Sequence, residues 1–221
     1  ARLSRPKRAR ASALNLACIS ASGGELIAQT VLVELAEPGT GAKMRGRPAI
    51  QVPFNRHICN VILIELDVNR ARLSLVDYAG TLVDRTEYPM TPTLFADTSP
   101  TAFLADGITR IRDRNPSEFR SLRHIAISVQ GILDRDGDGL SWSPIAHVSG
   151  VSIGAPLSAQ FMVNVRLHKR GPLLAEGTRA LYPELRYASV ATVFVGSTVA
   201  LGMTSNGRLL GRGDEGATEF G

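Results

Sequence analysis

Short apolar runs separated by turn residues fill the chain beyond residue 55, and their lengths predict strands together with one long helix. Val61–Leu66 holds five apolar residues out of six, which predicts a buried strand. Further strands are predicted at Ala71–Val76, Leu82–Tyr88 and His124–Gln130, with a turn at Ala79-Gly80. The segment from Pro100 to about Arg114 predicts a helix.

Three strands, a helix and a fourth strand begin an actin-like (ribonuclease H-like) α/β domain. A second half of the same kind is predicted to start near Phe161. We therefore predict two domains: a small head over residues 1–55, and an α/β body over residues 56–221 whose second half is incomplete.

The head has the pattern of a winged helix-turn-helix. A short helix from Ser4 to about Ser12 is followed by a turn, and Asn15 is a suitable N-cap for a second helix. The apolar positions of that helix are Leu16, Ile19, Leu26 and Ile27, and strands are predicted near Val31–Leu35 and Ala49–Phe54. In such a head the second helix enters the DNA major groove, and the hairpin loop reaches the backbone or the minor groove.

Charge is distributed unevenly between head and body. Residues 1–50 hold eight Lys/Arg against three Asp/Glu, whereas residues 51–221 hold seventeen of each, so the whole net charge of +5 lies in the first fifty residues. A basic segment on a neutral body favours an anionic partner, and we predict double-stranded operator DNA. A solvated basic tail is the alternative.

The basic loop Lys43-Met44-Arg45-Gly46-Arg47-Pro48 is the strongest candidate for DNA contact. Its glycine allows close approach of the backbone, and the flanking arginines bring charge to the most negative groove of the duplex. A basic surface loop without a ligand is the alternative. The predicted DNA-binding residues are Asn15, Ser20, Lys43, Arg45, Gly46 and Arg47.

The lengths of the apolar runs and the spacing of the cysteines and histidines argue against a membrane-spanning, a secreted and a metal-binding protein. No apolar run approaches the length of a membrane span, and the basic N-terminus has no apolar stretch of a secretory signal after it. Cys18 and Cys59 are not spaced as a redox or metal pair and fit a reducing cytoplasm. The four histidines have no metal-ligand spacing among themselves, so no metal site is predicted.

At several motifs the chain resembles the ROK (repressor, open reading frame, kinase) family, in particular its NagC- and XylR-like transcriptional regulators. In the head the similar segments are Leu3-Ser4-Arg5, Ala9-Arg10-Ala11, Leu14-Asn15, Ile19-Ser20, Glu25–Gln29, Val31–Val33 and the Arg45-Gly46-Arg47-Pro48 loop. In the body they are Asp77–Gly80, Val129–Asp134, Trp142–Pro144, Asn206–Leu209 and Gly216–Gly221. Measured against the family, a first helix of the head and the C-terminal part of the body, including a zinc site, are expected to lie outside these residues.

Members of the family are sugar kinases or sugar-responsive repressors. The resemblance aligns Glu65-Leu66-Asp67-Val68-Asn69 with the first phosphate loop of the kinases, where side chains replace both glycines. In the second loop, Val195–Gly202, Thr198 and Ala200 stand at positions that are normally glycine.

The position of the kinase base gives the sharpest test. The segment His168-Lys169-Arg170-Gly171-Pro172 replaces the Glu-Asn-Asp motif, and no Asp or Glu lies between Asp138 and Glu176. A cationic cluster cannot accept a hydroxyl proton as a carboxylate does. We therefore predict no catalytic residues, no cofactor and no kinase activity.

The resemblance also implies a sugar pocket that involves Glu219, Gly131 and Ser143, although Ile145 stands where the family has a sugar-contacting asparagine. Exposed apolar surface on an incomplete second half favours a homo-oligomer. The leading hypothesis is a cytoplasmic, sugar-responsive, DNA-binding repressor of ROK type. The alternatives are an ATP-dependent carbohydrate kinase and a non-catalytic sugar-sensing domain without DNA binding.

Overall fold

The computed structural model describes residues 22, 24–33 and 54–210, together with the backbone of the strand Glu219–Phe220. The chain divides into two units. The first comprises Ala1–Cys59 and Asp77–Thr81, and the second comprises Asn60–Val76 and Leu82–Gly221. In the described part of the chain, no helix is long and apolar enough to cross a membrane.

The first unit contains part of the predicted head. Residues 24–28 are helical, as the positions of Leu26 and Ile27 predict, and Leu32 forms an antiparallel bridge with Phe54. Beyond this bridge, Arg56 forms an ion pair of 2.6 Å with Asp77. The predicted first helix, the turn at Asn15 and the basic loop from Lys43 to Pro48 lie outside the described residues.

The second unit is built on a five-stranded sheet. Its strands are β1 (Asn60–Leu66), β2 (Arg70–Asp77), β3 (Leu82–Pro89), β4 (Leu122–Val129) and β7 (Asn164–Lys169), and their order in the sheet is β3-β2-β1-β4-β7. β1 and β4 are parallel, as are β4 and β7, while β2 and β3 are antiparallel. The four strands predicted from the apolar pattern are all present in this sheet.

Helix α2 (Pro100–Arg114) covers the apolar face of this sheet, and it has the predicted limits. The Ser99 side chain caps it by accepting a hydrogen bond from the Ala102 amide, and proline occupies its first turn. Its apolar residues join the alternate residues of the strands in one core, which includes Leu104, Ile108, Ile111, Ile62, Ile64, Ile125 and Ile127. Two short helices flank it, α1 (Leu94–Asp97) and α3 (Pro116–Phe119).

A small hairpin follows β4 and is formed by β5 (Ile132–Leu133) and β6 (Leu140–Trp142). The Asp134 carboxylate stabilises its turn by accepting a hydrogen bond of 2.9 Å from the Asp138 amide. The Asp138 carboxylate in turn accepts hydrogen bonds from the Ser152 hydroxyl and the Ala155 amide, at the start of α4 (Gly154–Phe161).

The second half of the body starts later in the chain than the predicted position near Phe161. β7 does not open a second half near Phe161, because it pairs with β4 in register and so extends the first sheet. The second half starts with α5 (Arg170–Leu181) and a 3-10 turn at Pro183–Leu185. Its sheet consists of β8 (Val190–Val195), β9 (Val199–Ser205), β10 (Arg208–Leu209) and β11 (Glu219–Phe220), and each of the other three strands pairs antiparallel with β9.

Candidate functional site

The carboxyl ends of three parallel strands meet at one edge of the five-stranded sheet. Asp67 follows β1, Gln130 follows β4 and Arg170 follows β7. Ligands of open α/β sheets bind outside this edge, because loops and helix starts converge there. We therefore take this edge as the candidate site.

Arg170 is the first residue of α5 and is only 6% exposed. Its Nη1 donates to Oδ2 of Asp67 at 3.0 Å, and its Nη2 donates to the carbonyl oxygen of Leu66 at 3.0 Å. The guanidinium also lies over the Phe194 ring, 5.4 Å from its centroid. The positive charge of Arg170 is therefore paired inside the protein, with little access to water.

The carboxylate of Asp67 is surrounded by donors and is 5% exposed. Besides the contact with Arg170, its Oδ1 accepts hydrogen bonds of 2.7 Å from the Ser197 hydroxyl and 2.7 Å from the Val68 amide. Burial alone would raise the pKa of Asp67. The hydrogen bonds from Ser197 and Arg170 outweigh burial, so the pKa of Asp67 lies below its ordinary value and the carboxylate is ionised at neutral pH.

These contacts join positions that the sequence singled out separately. Asp67 lies in the segment that aligns with the first phosphate loop, Ser197 lies in the second loop, and Arg170 lies at the place of the kinase base. The sequence indicated a cationic cluster at this base position but not that Arg170 pairs with Asp67. The available signal was an acidic and a basic residue, each directly after one of the parallel strands of the sheet.

A cavity of about 360 Å³ opens beside the ion pair. Its lining combines charged residues with apolar residues of the second sheet and α5, and comprises Glu65, Asp67, Arg70, Arg72, Ser128, Arg170, Leu173, Leu174 and Phe194. Arg72 forms ion pairs with Glu65 at 3.3 Å and with Glu87 at 2.6 Å. The charges lining this cavity are therefore largely paired with one another.

His168 of the predicted cationic cluster lies in β7 and pairs with Ser128 of β4. Burial lowers the pKa of His168, and the nearby His124 and Arg166 lower it further. Its imidazole is therefore neutral at pH 7.

In the second loop, the amide of Gly196 donates to the carbonyl oxygen of Thr198 at 3.0 Å and closes the turn between β8 and β9. Gly202 serves packing, because a Cβ atom there would collide with the carbonyl oxygen of Gly171 in α5. The two backbones approach each other closely at this point.

Two predicted sugar-binding residues, Gly131 and Ser143, lie together beside β4. A Cβ atom on Gly131, which has φ of +126°, would collide with the Trp142 carbonyl oxygen and lie 2.9 Å from the Cα of Ser143. The Ser143 hydroxyl donates to the carbonyl oxygen of Gln130 at 2.9 Å and accepts from the Ile145 amide at 3.1 Å. Both residues thus have a structural part in this hairpin, and a role in sugar binding stays a prediction.

Gln130 is a residue at this edge that the sequence analysis did not select. Its side chain is fully buried, and neither its amide nitrogen nor its amide oxygen has a hydrogen-bond partner among the described residues. Buried amides are normally paired, so among the described residues the Gln130 amide keeps unused donors and an unused acceptor between the ends of β1 and β7. In the sequence, Gln130 lies within the segment Val129–Asp134 that resembles the family, directly after a buried strand.

The positions of the other predicted site side chains are not described by the structure. The backbone of Glu219 pairs with Ala200 of β9, and its side chain lies outside the described residues. The predicted DNA-binding residues Asn15, Ser20, Lys43, Arg45, Gly46 and Arg47 also lie outside them. Within the described ranges, no group of three His, Cys, Asp or Glu side chains is arranged to hold a metal ion.

Comparison with solved structures identifies the class of fold as that of actin-like sugar kinases and related regulators. A ROK family transcriptional regulator, a homologue of the E. coli MLC protein, matches over 98% of this chain and 53% of its own, with 17% identity and a TM-score of 0.66. A ROK family glucokinase from Streptomyces griseus, in complex with glucose and AMPPNP, matches over 72% of this chain and 49% of its own, with 15% identity and a TM-score of 0.54.

A ROK family protein from Streptococcus pneumoniae TIGR4, in complex with sucrose, covers 72% of this chain and 50% of its own, with 21% identity and a TM-score of 0.53. No protein-family model and no curated protein matches the sequence. The chain thus has the fold of the ROK family, which confirms at the level of the fold the resemblance indicated by its motifs, and it spans about half the length of these solved structures.

Proposed function

We propose that this chain is part of a sugar-responsive, DNA-binding transcriptional regulator of ROK type that lacks kinase chemistry. The observation that carries the proposal is the buried ion pair between Asp67 and Arg170 at the edge of the sheet. This ion pair lies where a kinase of this fold would need open phosphate loops and a carboxylate base that is not paired with a protein cation.

Phosphoryl transfer needs a carboxylate linked to magnesium, backbone amides around the phosphates and a base near the attacking hydroxyl. Both oxygens of Asp67 already accept hydrogen bonds from protein donors, which leaves the carboxylate poorly placed to bind a cation. At the base position, Arg170 cannot accept a proton, because a guanidinium stays protonated. These two features support a regulator over an enzyme.

Support for DNA binding comes from the head. The basic surplus of the chain lies entirely in residues 1–50, and the pattern there predicts a winged helix with the Arg45-Gly46-Arg47 loop beside it. The solved ROK regulator matches nearly the whole chain, whereas the glucokinase matches 72% of it. Asn15, Ser20, Lys43, Arg45, Gly46 and Arg47 are the proposed DNA-contacting residues.

A sugar is the proposed effector, because one solved protein of this fold holds sucrose and another holds glucose. Glu219, Gly131 and Ser143 are the proposed contacts, and the buried polar side chain of Gln130 lies next to Gly131. The regulator would act in the cytoplasm as a homo-oligomer. The exposed Val193 and Val195 side chains on β8 support self-association.

A gel-shift titration tests the DNA-binding part of the proposal. The probe is double-stranded DNA from upstream of the protein's own coding sequence, and the competitor is unrelated DNA of equal length. We expect specific binding that a panel of sugars, including glucose and sucrose, alters. Absence of binding, or binding that salt does not weaken, would contradict the proposal, because phosphate contacts release counterions.

A coupled assay for ATP consumption with the same sugars tests the absence of kinase chemistry. We expect turnover no greater than that of a blank without protein. Turnover that is lost in Asp67→Ala would show that the carboxylate serves catalysis, and the chain would then be an ATP-dependent carbohydrate kinase.

A further inference from the structure

Three segments that are distant in sequence meet at the Asp67 carboxylate. Arg170 is 103 residues away and begins α5, and Ser197 is 130 residues away in the turn between β8 and β9. Asp67 itself ends β1 of the five-stranded sheet. One side chain therefore binds the edge of the first sheet to both parts of the second half.

We propose that Asp67, Arg170 and Ser197 form a latch that fixes α5 and the β8–β9 hairpin to the five-stranded sheet. The carboxylate of Asp67 keeps the latch closed, and loss of its charge releases the hairpin. This role is conformational and does not depend on DNA binding or on a sugar effector.

The geometry explains why the carboxylate is the central group of the latch. Oδ2 accepts from Arg170 while Oδ1 accepts from Ser197, so the two oxygens divide their contacts between the helix and the hairpin turn. Without the carboxylate, Arg170 would remain a buried cation whose contacts among the described residues are the Leu66 carbonyl and the Phe194 ring. Such an uncompensated charge is strongly unfavourable, so the helix start would move toward water.

Movement at Arg170 would be transmitted to the hairpin, because α5 packs tightly on β8 and β9. The Gly171 carbonyl lies against Gly202 of β9, and the Thr192 hydroxyl of β8 donates to the Thr178 hydroxyl of α5 at 3.3 Å. The helix and the hairpin thus form one packed piece, and the latch ties this piece to the first sheet.

Formate provides a chemical test of the latch. In Asp67→Ala the guanidinium loses its counterion, and a formate ion has the same two oxygens and the same single negative charge as the lost carboxylate. Formate would then bind between Arg170 and Ser197 and reclose the latch, because it presents two oxygens to the same donors.

Hydrogen exchange measured by mass spectrometry on the whole chain tests the latch. We compare wild type with Asp67→Ala and Ser197→Ala, and we use Asp84→Ala as the matched control. Asp84 also pairs with an arginine, Arg114, but at β3, on the far side of the same sheet.

In Asp67→Ala we expect exchange across residues 190–205 to accelerate about tenfold or more, because a charged hydrogen bond is lost. Ser197→Ala, which removes only the hairpin contact, should accelerate the same peptides by a smaller factor and leave β1 and β4 unchanged. Asp84→Ala should leave residues 190–205 at the wild-type rate. Sodium formate, compared with sodium chloride at equal ionic strength, should slow exchange in Asp67→Ala but not in wild type.

Two outcomes would overturn the proposal. One is hairpin exchange at the wild-type rate in a folded Asp67→Ala. The other is an acceleration in Ser197→Ala that is equal in both sheets, since that result would mean a general loss of stability. If Asp67→Ala does not fold, Ser197→Ala alone decides between a local and a general effect.

Discussion

A single residue at the sheet edge can have both a conformational role and a role in ligand binding, and the sequence alone does not separate the two. Gly131 was selected as a ligand residue, and its backbone is in a region that side chains avoid, with the Trp142 carbonyl directly where a Cβ atom would be. Its conformation alone explains why glycine is needed there. A test of its role must therefore separate the conformational requirement from any contact with a sugar.

Replacement of Gly131 by alanine should cost clearly more stability than replacement of Gly137 in the neighbouring turn. Gly137 also has positive φ, but nothing lies near the place of its Cβ atom, so Gly137→Ala should cost about 1–2 kcal/mol for backbone strain alone. Gly131→Ala adds a collision with backbone atoms, and we expect a further loss of at least about 1 kcal/mol. Urea unfolding of both variants measures the difference, and equal losses would show that the hairpin relaxes around the added methyl group.

At the scale of elements, the apolar pattern predicted correctly those strands and the helix whose formation depends on residues close together in the sequence. Short apolar runs predicted the strands β1 to β4, and the predicted helix α2 has the limits found in the structure. The second half was predicted to start near Phe161, but the strand that follows, β7, joins the first sheet beside β4, because an apolar run does not show which sheet a strand joins. The latch could not be predicted, since its bonds connect residues more than 100 positions apart.

Helix α5 was not predicted from the sequence. Its packing against β9 depends on Gly171. Gly171 faces the backbone of β9, where a Cβ atom would collide with the carbonyl oxygen of Leu201. Gly177 lies in the same helix, with open space around the place of its Cβ atom. The two glycines provide a matched pair for testing the contact between α5 and β9.

We expect Gly177→Ala to raise the free energy of unfolding by up to about 1 kcal/mol, because alanine has the higher helix propensity. Gly171→Ala should instead lower the free energy of unfolding by about 1–3 kcal/mol, because the helix must move away from β9. Thermal and urea unfolding measure both effects. A stabilising Gly171→Ala would mean that the helix does not pack on β9 as described.

At the scale of the whole molecule, several buried or half-buried groups make stability depend on pH in one direction. Burial lowers the pKa values of His124 and His168, while hydrogen bonds and nearby arginines outweigh burial and lower those of Asp67, Asp77 and Asp84. A group with a lowered pKa in the folded state binds more protons when the chain unfolds, so stability rises with pH across its range. Both kinds of group therefore destabilise the protein in acid.

We expect two separate losses of stability as pH falls. The histidine contribution should be lost below about pH 6.5, and the aspartate contribution below about pH 4, where the unfolded carboxyls begin to take up protons. Urea unfolding at a series of pH values measures both steps. The double variant His124→Gln with His168→Gln should remove the first step and leave the second, and an unchanged first step would assign it to other groups.

The separation of charge between head and body also makes a quantitative prediction about DNA binding. If the head alone contacts phosphates, the logarithm of the binding constant falls linearly with the logarithm of the salt concentration, with a slope of about −0.9 for each phosphate contacted. Arg45→Ala and Arg47→Ala should each reduce the magnitude of this slope by about 1 and weaken binding.

Arg166→Ala provides the control, because Arg166 is an exposed residue of β7 in the electrically balanced body. Its removal changes the net charge by the same amount but should leave the slope unchanged, since the slope counts contacts with DNA and not total charge. Equal effects of Arg45→Ala and Arg166→Ala would show that the body shares the DNA contact. The Arg45-Gly46-Arg47 loop would then be one part of a broader basic surface and not the principal reader of the groove.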